Sequence, residues 1–567
     1  MDHVNQADGP KWIECVPNFS EGRNPGVIRQ ITDEIESISG VRLLNVDQGQ
    51  ATNRTVVTFA GEPGAVIEAA FQAIRKAGEL IDMGKHKGAH PRMGATDVCP
   101  LVPLRNMTLS ETAEYARILG KRVGEELGIP VYLYESAQQN VFRKSLSKIR
   151  EGEYEGYSTK IKEPGWYPDF GPCEFDLQRG ATVIGARDFL VAYNVNLNTT
   201  STRRANAVAF DVREAGRVKM MDGKPMLDDE GRKVMVPGSL KYTKAIGWYI
   251  EEYGLAQVSM NLTNIHETPV HIAFDEVCRK AEARGIRVTG SELVGLIPLD
   301  AMLDAGKYFL RKQKRSAGVP EKELIKIAVR SLGLNELESF RPEERIIEYL
   351  LADKAGSKLI RMPLNDFADE TSDESPAPGG GSIAAYVGSL GAALAAMVAN
   401  LSAQKQGWDQ HWETFSELAE QGQYYKSELL SLVDADTNAF NKLMSALTMP
   451  KDTDAERQAR TEAVRQATRG AMEIPLKVMT LASESMAIMK ELAENGNPNS
   501  VSDAGVAAIC ADAAVRGAFL NVRINAASYY DKNYVKEVME RGQKLVQEAG
   551  DKEREILKLA DARILNL

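Results

Sequence analysis

Ala352-Asp-Lys-Ala-Gly-Ser-Lys358 divides this chain of 567 residues into two kinds of protein. The stretch is polar, has no apolar period and reads as a linker over 352–358. Upstream of it, short β-branched runs alternate with helical periodicities, the pattern of an α/β layer structure. The first set is strand Trp12–Pro17, helix Pro25–Ile38, strands Val41–Val46 and Arg54–Phe59, helix Ala65–Met83, strand Val98–Val102, helix Ser110–Leu127 and strand Val131–Tyr134. From Phe189 the order begins again. Strand Phe189–Val195, helix Arg203–Glu214, apolar run Ala245–Ile250, strand Ala256–Leu262, helix Pro269–Arg284, strand Ile286–Thr289 and helix Asp300–Arg311 follow in turn. Between the elements of this second set, Gly216–Leu240 is charged, contains Asp222-Gly223 and Gly231, and reads as an exposed hairpin insertion.

Downstream of the linker the strand signal nearly vanishes. Ala-, Leu- and Glu-rich helical patterns run to the C-terminus, broken at Gln406-Gly407, Met449-Pro450, Asn495–Pro498 and near Tyr529. That spacing predicts a bundle of about five or six helices. The fold class is therefore α/β plus all-α: two tandem α/β sandwich subdomains, 1–189 and 190–351, followed by an antiparallel helical bundle at 359–567.

Hydrophobic content of 43% and charged content of 26% are ordinary for a globular protein, and the length predicts about three or four domains. A formal net charge of −10 argues against a nucleic-acid surface. Cys15, Cys99, Cys173, Cys278 and Cys510 are odd in number, far apart and without a CxxC pair, so neither a disulfide framework nor a zinc site is expected. A reducing cytoplasm is the simplest compartment, and the first residues lack the apolar core of a signal peptide. Ile383–Leu401 is uncharged over a membrane-length span, yet its Ala, Gly, Ser389 and Asn400 content suits the central helix of a bundle; no membrane segment is expected.

Chemistry concentrates in a few stretches. Gly84-Lys-His-Lys-Gly-Ala-His-Pro-Arg-Met-Gly-Ala-Thr-Asp97 holds two of six histidines beside Lys85, Lys87 and Arg92. Pro91 biases His90 away from helical dihedrals, and nearby cations disfavour its imidazolium, which suits it to accept a proton. Asn18, in Glu14-Cys-Val-Pro-Asn-Phe-Ser-Glu-Gly22, sits at a strand's carboxyl end, a usual site position in α/β layers. Asn18 and Arg92 are the candidate substrate contacts of this half. Asp47 ends the next strand, where it could orient a histidine or bind a substrate amine. Trp166–Gly180 combines aromatics, glycines and prolines without a period and could enclose a flat heterocycle.

In the helical half, Ala377-Pro-Gly-Gly-Gly-Ser382 runs into a helix, so Gly379, Gly380, Gly381 and Ser382 offer free N–H groups to a carboxylate or phosphate. The same glycines, with Gly388 and Gly391, also suit close helix packing. In Leu432-Val-Asp-Ala-Asp436, helical spacing puts Asp436 on the face of Leu432, Val433, Ala439 and Phe440, and Asp434 on a polar, solvated face. A carboxyl on an apolar face has a raised pKa, as a proton shuttle requires.

Together these segments resemble the bifunctional formimidoyltransferase–cyclodeaminases of histidine breakdown and folate metabolism. The anchors are Glu14–Gly22, Lys85–Gly94, Asp169-Phe-Gly-Pro172, Ala377–Ser382 and Leu432–Asp436, in that order on one chain. The resemblance implies formimidoyl transfer from N-formimidoyl-L-glutamate to tetrahydrofolate by the α/β subdomains. It further implies cyclisation of 5-formimidoyltetrahydrofolate to 5,10-methenyltetrahydrofolate, with release of ammonia, by the helical domain. It places the transferase histidine on His90, the cyclodeaminase aspartate on Asp436, and folate binding on Gly171, Pro172, Cys173, Glu174, Phe175, Asp176, Leu177, Gln178, Arg179 and Gly180. Homo-oligomers that pass polyglutamylated folate between sites are implied as well. Two departures stand out: relatives carry Glu where this chain has Ala89, and the Gly216–Leu240 insertion is longer. The residue chemistry fits. One imidazole can serve N5 as base and the departing glutamate amine as acid, one carboxyl can do the same for N10 and ammonia, and no metal or redox cofactor is demanded. Two rival readings keep the transferase: a non-catalytic oligomerisation bundle, or a methenyltetrahydrofolate cyclohydrolase in the helical domain.

Overall fold

Seven strands build the first sheet, in a computed structural model that describes residues 11–50, 52–88, 90–352, 359–374, 377–527 and 529–566. Val41–Gly49 lies at one edge, antiparallel to Arg54–Gly61. Next comes a strand interrupted at Val16-Pro17: its pieces, Trp12–Cys15 and Asn18–Phe19, pair both with Arg54–Gly61 and with Thr96–Arg105. Thr182–Ala186 and then Val131–Glu135 complete the sheet in parallel. Helices Pro25–Glu36, Pro63–Leu80 and Leu109–Glu126 bury apolar stripes in its core, including Ile31, Ile35, Phe71, Ile74, Leu119 and Val123. Their starts are locally encoded. Asn24 caps a helix that opens on Pro25, and Thr108 with Glu111 makes a reciprocal capping box. The expected elements are all present, with ends moved by a few residues. Thr182–Ala186 was not expected as a strand, and it lies between the Thr96–Arg105 and Val131–Glu135 strands.

The second sheet is antiparallel, in the order Thr243–Ile250, Leu255–Leu262, Val191–Leu197, Val288–Val294. Helices Thr202–Val212 and Val270–Glu282 accompany it. The expected strand at Ile286–Thr289 begins later and runs on to Val294. The insertion folds as two short exposed ribbons. Met220–Met221 pairs with Lys224–Pro225 around Asp222 (φ 50°) and Gly223 (φ 77°), the backbone that an Asp-Gly hairpin turn needs. Arg217–Val218 pairs with Met235–Val236 below it.

The helical half contains Gly380–Ala403, Trp412–Leu447, Asp454–Asn495, Val501–Ala526 and Lys532–Ile564, preceded by the short Leu364–Ser372. Gly380–Ala403 is apolar enough to cross a membrane by length alone, yet most of that window is buried against the other helices. Gly388 and Gly391 allow this packing: a Cβ on Gly388 would lie 3.1 Å from Ala514 Cβ, and one on Gly391 would lie 2.8 Å from Ala507 O.

Residues 353–358 of the expected linker lie outside the described residues. The compact units divide at Ala352/Asp353, with one upstream segment exchanged. Residues up to Ala301, with Leu332–Ala352, form one, whereas Met302–Ser331 packs with the helical bundle as part of the other. The reason is specific. Ala317 N–H donates to Ser416 Oγ (2.9 Å), Asn400 Nδ2 and Gln423 Nε2 donate to Gly318 O (2.8 and 3.2 Å), and Arg311 pairs with Glu420 (2.9 Å). A Cβ on Gly318 would stand 2.3 Å from Ala419 Cβ. Gly318→Val is therefore expected to cost about 1–3 kcal/mol in thermal unfolding and to speed amide exchange across 302–331. Unchanged exchange there would mean that the segment is not docked.

Candidate active sites

The first site forms around the turn between Val41–Gly49 and Arg54–Gly61. Asn53 adopts φ 49°, and its side chain bridges two segments: Oδ1 accepts Gly22 N–H (2.9 Å) and Nδ2 donates to Lys87 O (3.1 Å). Its carbonyl accepts His86 Nε2–H (2.9 Å), while His86 Nδ1 accepts from Arg92 Nε (3.2 Å). Both ring nitrogens of His86 are thus committed to holding the loop. Arg92 is also committed: it is buried, and it pairs with Glu155 (2.6 Å) and Glu153 (3.3 Å).

His90 is placed differently. Its Nδ1–H donates to Pro91 O (2.7 Å), which fixes the tautomer and leaves Nε2 with a lone pair. Partial burial, then the charges of Arg54 and Arg150, pull its pKa down to about 4, so the ring is neutral at physiological pH. Sequence proximity had nominated Lys85, Lys87 and Arg92 as the cations. In space Lys85 pairs with Asp82 (2.9 Å), and the charges that act on His90 come from elsewhere in the fold. Arg150 is neutralised by Asp97, whose Oδ1 also accepts Met93 N–H (2.9 Å). Arg54 and Arg150 were not expected in the site; strand position and a distant helix turn bring them there, and only the fold reveals it.

Asp47 is exposed and lies opposite Val56, within a strand that continues to Gly49 rather than at its end. The His90 ring is oriented by Pro91 O and not by Asp47, whose charge acts on Arg54 instead. Asp47 also lines a cavity of about 200 Å³ with Asn45, Glu292, Leu293, Val294 and Arg345. Asn18 is buried; its Nδ2 donates to Val16 O (2.9 Å), and its Oδ1 has no partner among the described residues.

The Gly171–Gly180 loop is stitched to the histidine loop through its backbone. Ala95 N–H donates to Arg179 O (2.8 Å), Ala181 N–H to Met93 O (3.0 Å), and Gly94 bridges Gly180. Gly171 (φ 86°) and Gly180 (φ 69°) supply its turns. Gly171, Pro172, Cys173, Glu174, Leu177 and Gln178 are exposed. Phe175 instead packs against Tyr154 and Tyr157, Asp176 accepts Arg179 N–H and Nε, and Arg179 donates to Leu127 O (2.7 Å), so these three side chains hold the loop's shape.

The second site joins two expected motifs. Gly379 caps the Gly380–Ala403 helix, and Asp436 lies against its first turn. Ser382 donates to Asp436 Oδ2 through its hydroxyl (3.1 Å) and also through its backbone N–H. Burial nevertheless holds the Asp436 pKa above the usual carboxylate value. Gly381 makes the approach possible, since a Cβ there would stand 2.2 Å from Asp436 Oδ1. The expectation that Asp434 is solvated is corrected. Its Oδ1 accepts Leu359 N–H (3.0 Å), and its Oδ2 is buried without a partner among the described residues, because the Leu359–Arg361 turn covers that face of the helix. Asp434 braces the entry into the bundle; Asp436 faces the glycines.

Comparison with known proteins follows this division. Residues 12–187 match the family model described as the formiminotransferase domain, N-terminal subdomain, 192–352 the formiminotransferase domain, and 363–544 formiminotransferase-cyclodeaminase. A formimidoyltransferase-cyclodeaminase of Gallus gallus is 43% identical over 98% of this chain and 99% of its own length. A glutamate formimidoyltransferase of Thermoplasma acidophilum is 42% identical over 53% of this chain and 92% of its own. A methenyltetrahydrofolate cyclohydrolase of Methylorubrum extorquens is 34% identical over 35% of this chain and 92% of its own. With all three domains matched and near-complete coverage of its relatives, the chain belongs to the formimidoyltransferase–cyclodeaminase family.

Proposed function

We propose that this chain transfers the formimidoyl group of N-formimidoyl-L-glutamate to tetrahydrofolate. It then cyclises 5-formimidoyltetrahydrofolate to 5,10-methenyltetrahydrofolate with release of ammonia. The observation that carries this reading is the pair of oppositely tuned proton carriers, His90 and Asp436, each on the half that matches the corresponding family domain. In the first reaction N5 attacks the amidine carbon, and His90 Nε2 takes the N5 proton. The imidazolium returns that proton to the departing glutamate nitrogen as its carbon–nitrogen bond breaks. In the second, N10 attacks the same carbon, and the N10 proton passes through the Asp436 carboxyl to the amino group, which leaves as ammonia. Folate lies along Gly171–Gly180. Asn18 and Asp47 face the transferase reactants, and Gly379–Ser382 receive the folate of the second reaction.

The co-substrate is tetrahydrofolate carrying a polyglutamate tail, and the chain works as a homo-oligomer in the cytoplasm. Exposed Leu390, Met397, Leu401, Val506, Ile509, Leu520 and Ile524, on the packed helices Gly380–Ala403 and Val501–Ala526, support self-association. A second reading, a cyclohydrolase in the helical half, is favoured by the Methylorubrum extorquens relative. The two differ in a simple assay: hydrolysis of supplied methenyltetrahydrofolate with no ammonia from 5-formimidoyltetrahydrofolate would replace the cyclodeaminase.

His90→Ala should lower formimidoyl transfer by about 10²–10⁴-fold and spare cyclodeamination of supplied 5-formimidoyltetrahydrofolate. Because the neutral ring is the base, transfer should hold at neutral pH and fail as pH drops through about 4. His86→Ala should instead lower stability by about 1–3 kcal/mol, since it strips partners from Asn53 and Arg92; full stability with lost chemistry would reverse the two roles.

Asp436→Asn and Gly381→Ala should both abolish ammonia release with folding intact, the second by displacing the carboxylate. Asp434→Asn should retain ammonia release, because its amide oxygen still accepts from Leu359. Loss in the Asp434 variant alone would reassign the shuttle.

With tetrahydrofolate polyglutamate, little free 5-formimidoyl intermediate should appear in a rapid-quench time course. More should escape at high salt and from the monoglutamate, because an anionic tail is retained by screened charge contacts. Equal release from both folates at low salt excludes tail-mediated transfer.

A further inference from the structure

Beside His90 stands a cation with no ion-pair partner among the described residues. Arg54 opens the Arg54–Gly61 strand directly after Asn53, the residue that clamps the histidine loop. Its guanidinium is half-buried, and Nε is enclosed without a hydrogen-bond partner among the described residues. The other arginines of the site are satisfied. Arg150 is chelated by Asp97, and Arg92 by Glu153, Glu155 and His86. Arg54 is influenced by Asp97 and Asp47 and repelled by Arg150, yet no ion pair engages it among the described residues. Burial pushes its pKa down to about 10, still well above physiological pH, so the charge persists. Uncompensated buried charge is costly, and a side chain with five fixed donors retained under those conditions suits a bidentate anion from outside the chain.

We infer that Arg54 binds the α-carboxylate of N-formimidoyl-L-glutamate and so selects the donor and aims its nitrogen at His90. This inference rests on the transferase reading above. Donor chemistry picks this carboxylate among those available. A single carbon separates the α-carboxylate from the nitrogen that His90 must protonate, so a group that binds the one necessarily stands beside the base that serves the other. The donor's γ-carboxylate lies farther along the side chain, and the folate glutamate lies beyond the whole pteridine and aminobenzoyl length from N5. Arg92, the arginine nominated by sequence, lacks the free donors for this task.

The test compares N-formimidoyl-L-glutamate with 4-(formimidoylamino)butanoate, the same donor without its α-carboxylate, in the wild-type full chain and in Arg54→Met and Arg54→Lys. Wild type should prefer the glutamate donor in kcat/KM by about 10²-fold or more, and Arg54→Met should erase that preference by losing about 10²–10³-fold on the glutamate donor alone. Arg54→Lys should recover part of it. Two readouts separate binding from mere bracing. Tm should be equal or higher in Arg54→Met, because an unpaired buried charge is removed. The acid limb of transfer should also move to higher pH, since one of the two cations facing His90 is gone while Arg150 and Asp97 stay. Equal losses on both donors, a lowered Tm, an unmoved acid limb, or an effect confined to KM for tetrahydrofolate polyglutamate would each overturn the assignment, the last in favour of the folate tail. Failure of wild type to use N-formimidoyl-L-glutamate at all would instead refute the transferase reading itself.

Discussion

One side chain, Asn53, holds the candidate transferase site together. It occupies the left-handed region that Asn tolerates better than most residues, and its amide grips Gly22 on one side and Lys87 on the other. Both clamped segments approach so closely that only glycine fits. A Cβ on Gly22 would stand 2.3 Å from Gly49 O, and one on Gly88 would stand 2.3 Å from Thr52 O. The same turn launches Arg54 into the site and presents the carbonyl that holds His86. Remove this junction and three separate pieces of chain lose their register: the Glu14–Gly22 segment, the strand pair and the histidine loop.

The two candidate sites shift their proton carriers in opposite directions, each against the charged form. An imidazole is neutralised by burial beside positive charge, and a carboxyl is shifted towards neutrality by burial beside a helix's first turn. In the second case the surroundings are mixed. Ser382 donates twice to Asp436 and favours its ionised form, but desolvation outweighs those bonds. A carboxyl balanced between these influences can both take and give a proton, whereas one fully ion-paired would stay ionised. No ion pair engages Asp436 among the described residues, which sets it apart from Asp97 and Asp169, each bound to an arginine.

Much of this was legible from residue order. Period-two and helical patterns gave the strands and helices of both α/β subdomains, and breaks at glycine, at proline and near Tyr529 marked the five long helices. The Gly-rich entry and Asp436, far apart in sequence, proved to be neighbours. What escaped depended on distance through the fold. Lys85 and Lys87 adjoin His90 in sequence, yet a loop residue's electrostatic neighbours are chosen by the sheet, which delivers Arg54. Asp434 looked polar-faced on its own helix, but a helix cannot announce that another segment, here Leu359–Arg361, will cover it. Met302–Ser331 continues the sequence of the subdomain that precedes it, and its tertiary contacts, at Arg311, Ala317 and Gly318, place it with the bundle. Thr182–Ala186 is short and follows a long irregular loop, so its place between two other strands comes from tertiary pairing rather than from any local signal.

The arginines of the candidate transferase site show how function can be read from incomplete satisfaction. A folded chain ordinarily pairs each buried cation, as this one does for Arg92, Arg143 and Arg150. Those pairs organise loops, and their geometry explains their presence without any ligand. Arg54 has no such pair among the described residues. Its charge raises the energy of the folded state and lowers the basicity of His90, two costs that a purely structural residue would not be expected to impose together. A bound carboxylate removes both at once: it pairs the guanidinium, and by cancelling the field on the imidazole it lets His90 become a stronger base only when the donor is in place. On this view substrate binding and base activation are the same electrostatic event, and the site is left unbalanced so that the donor can complete it.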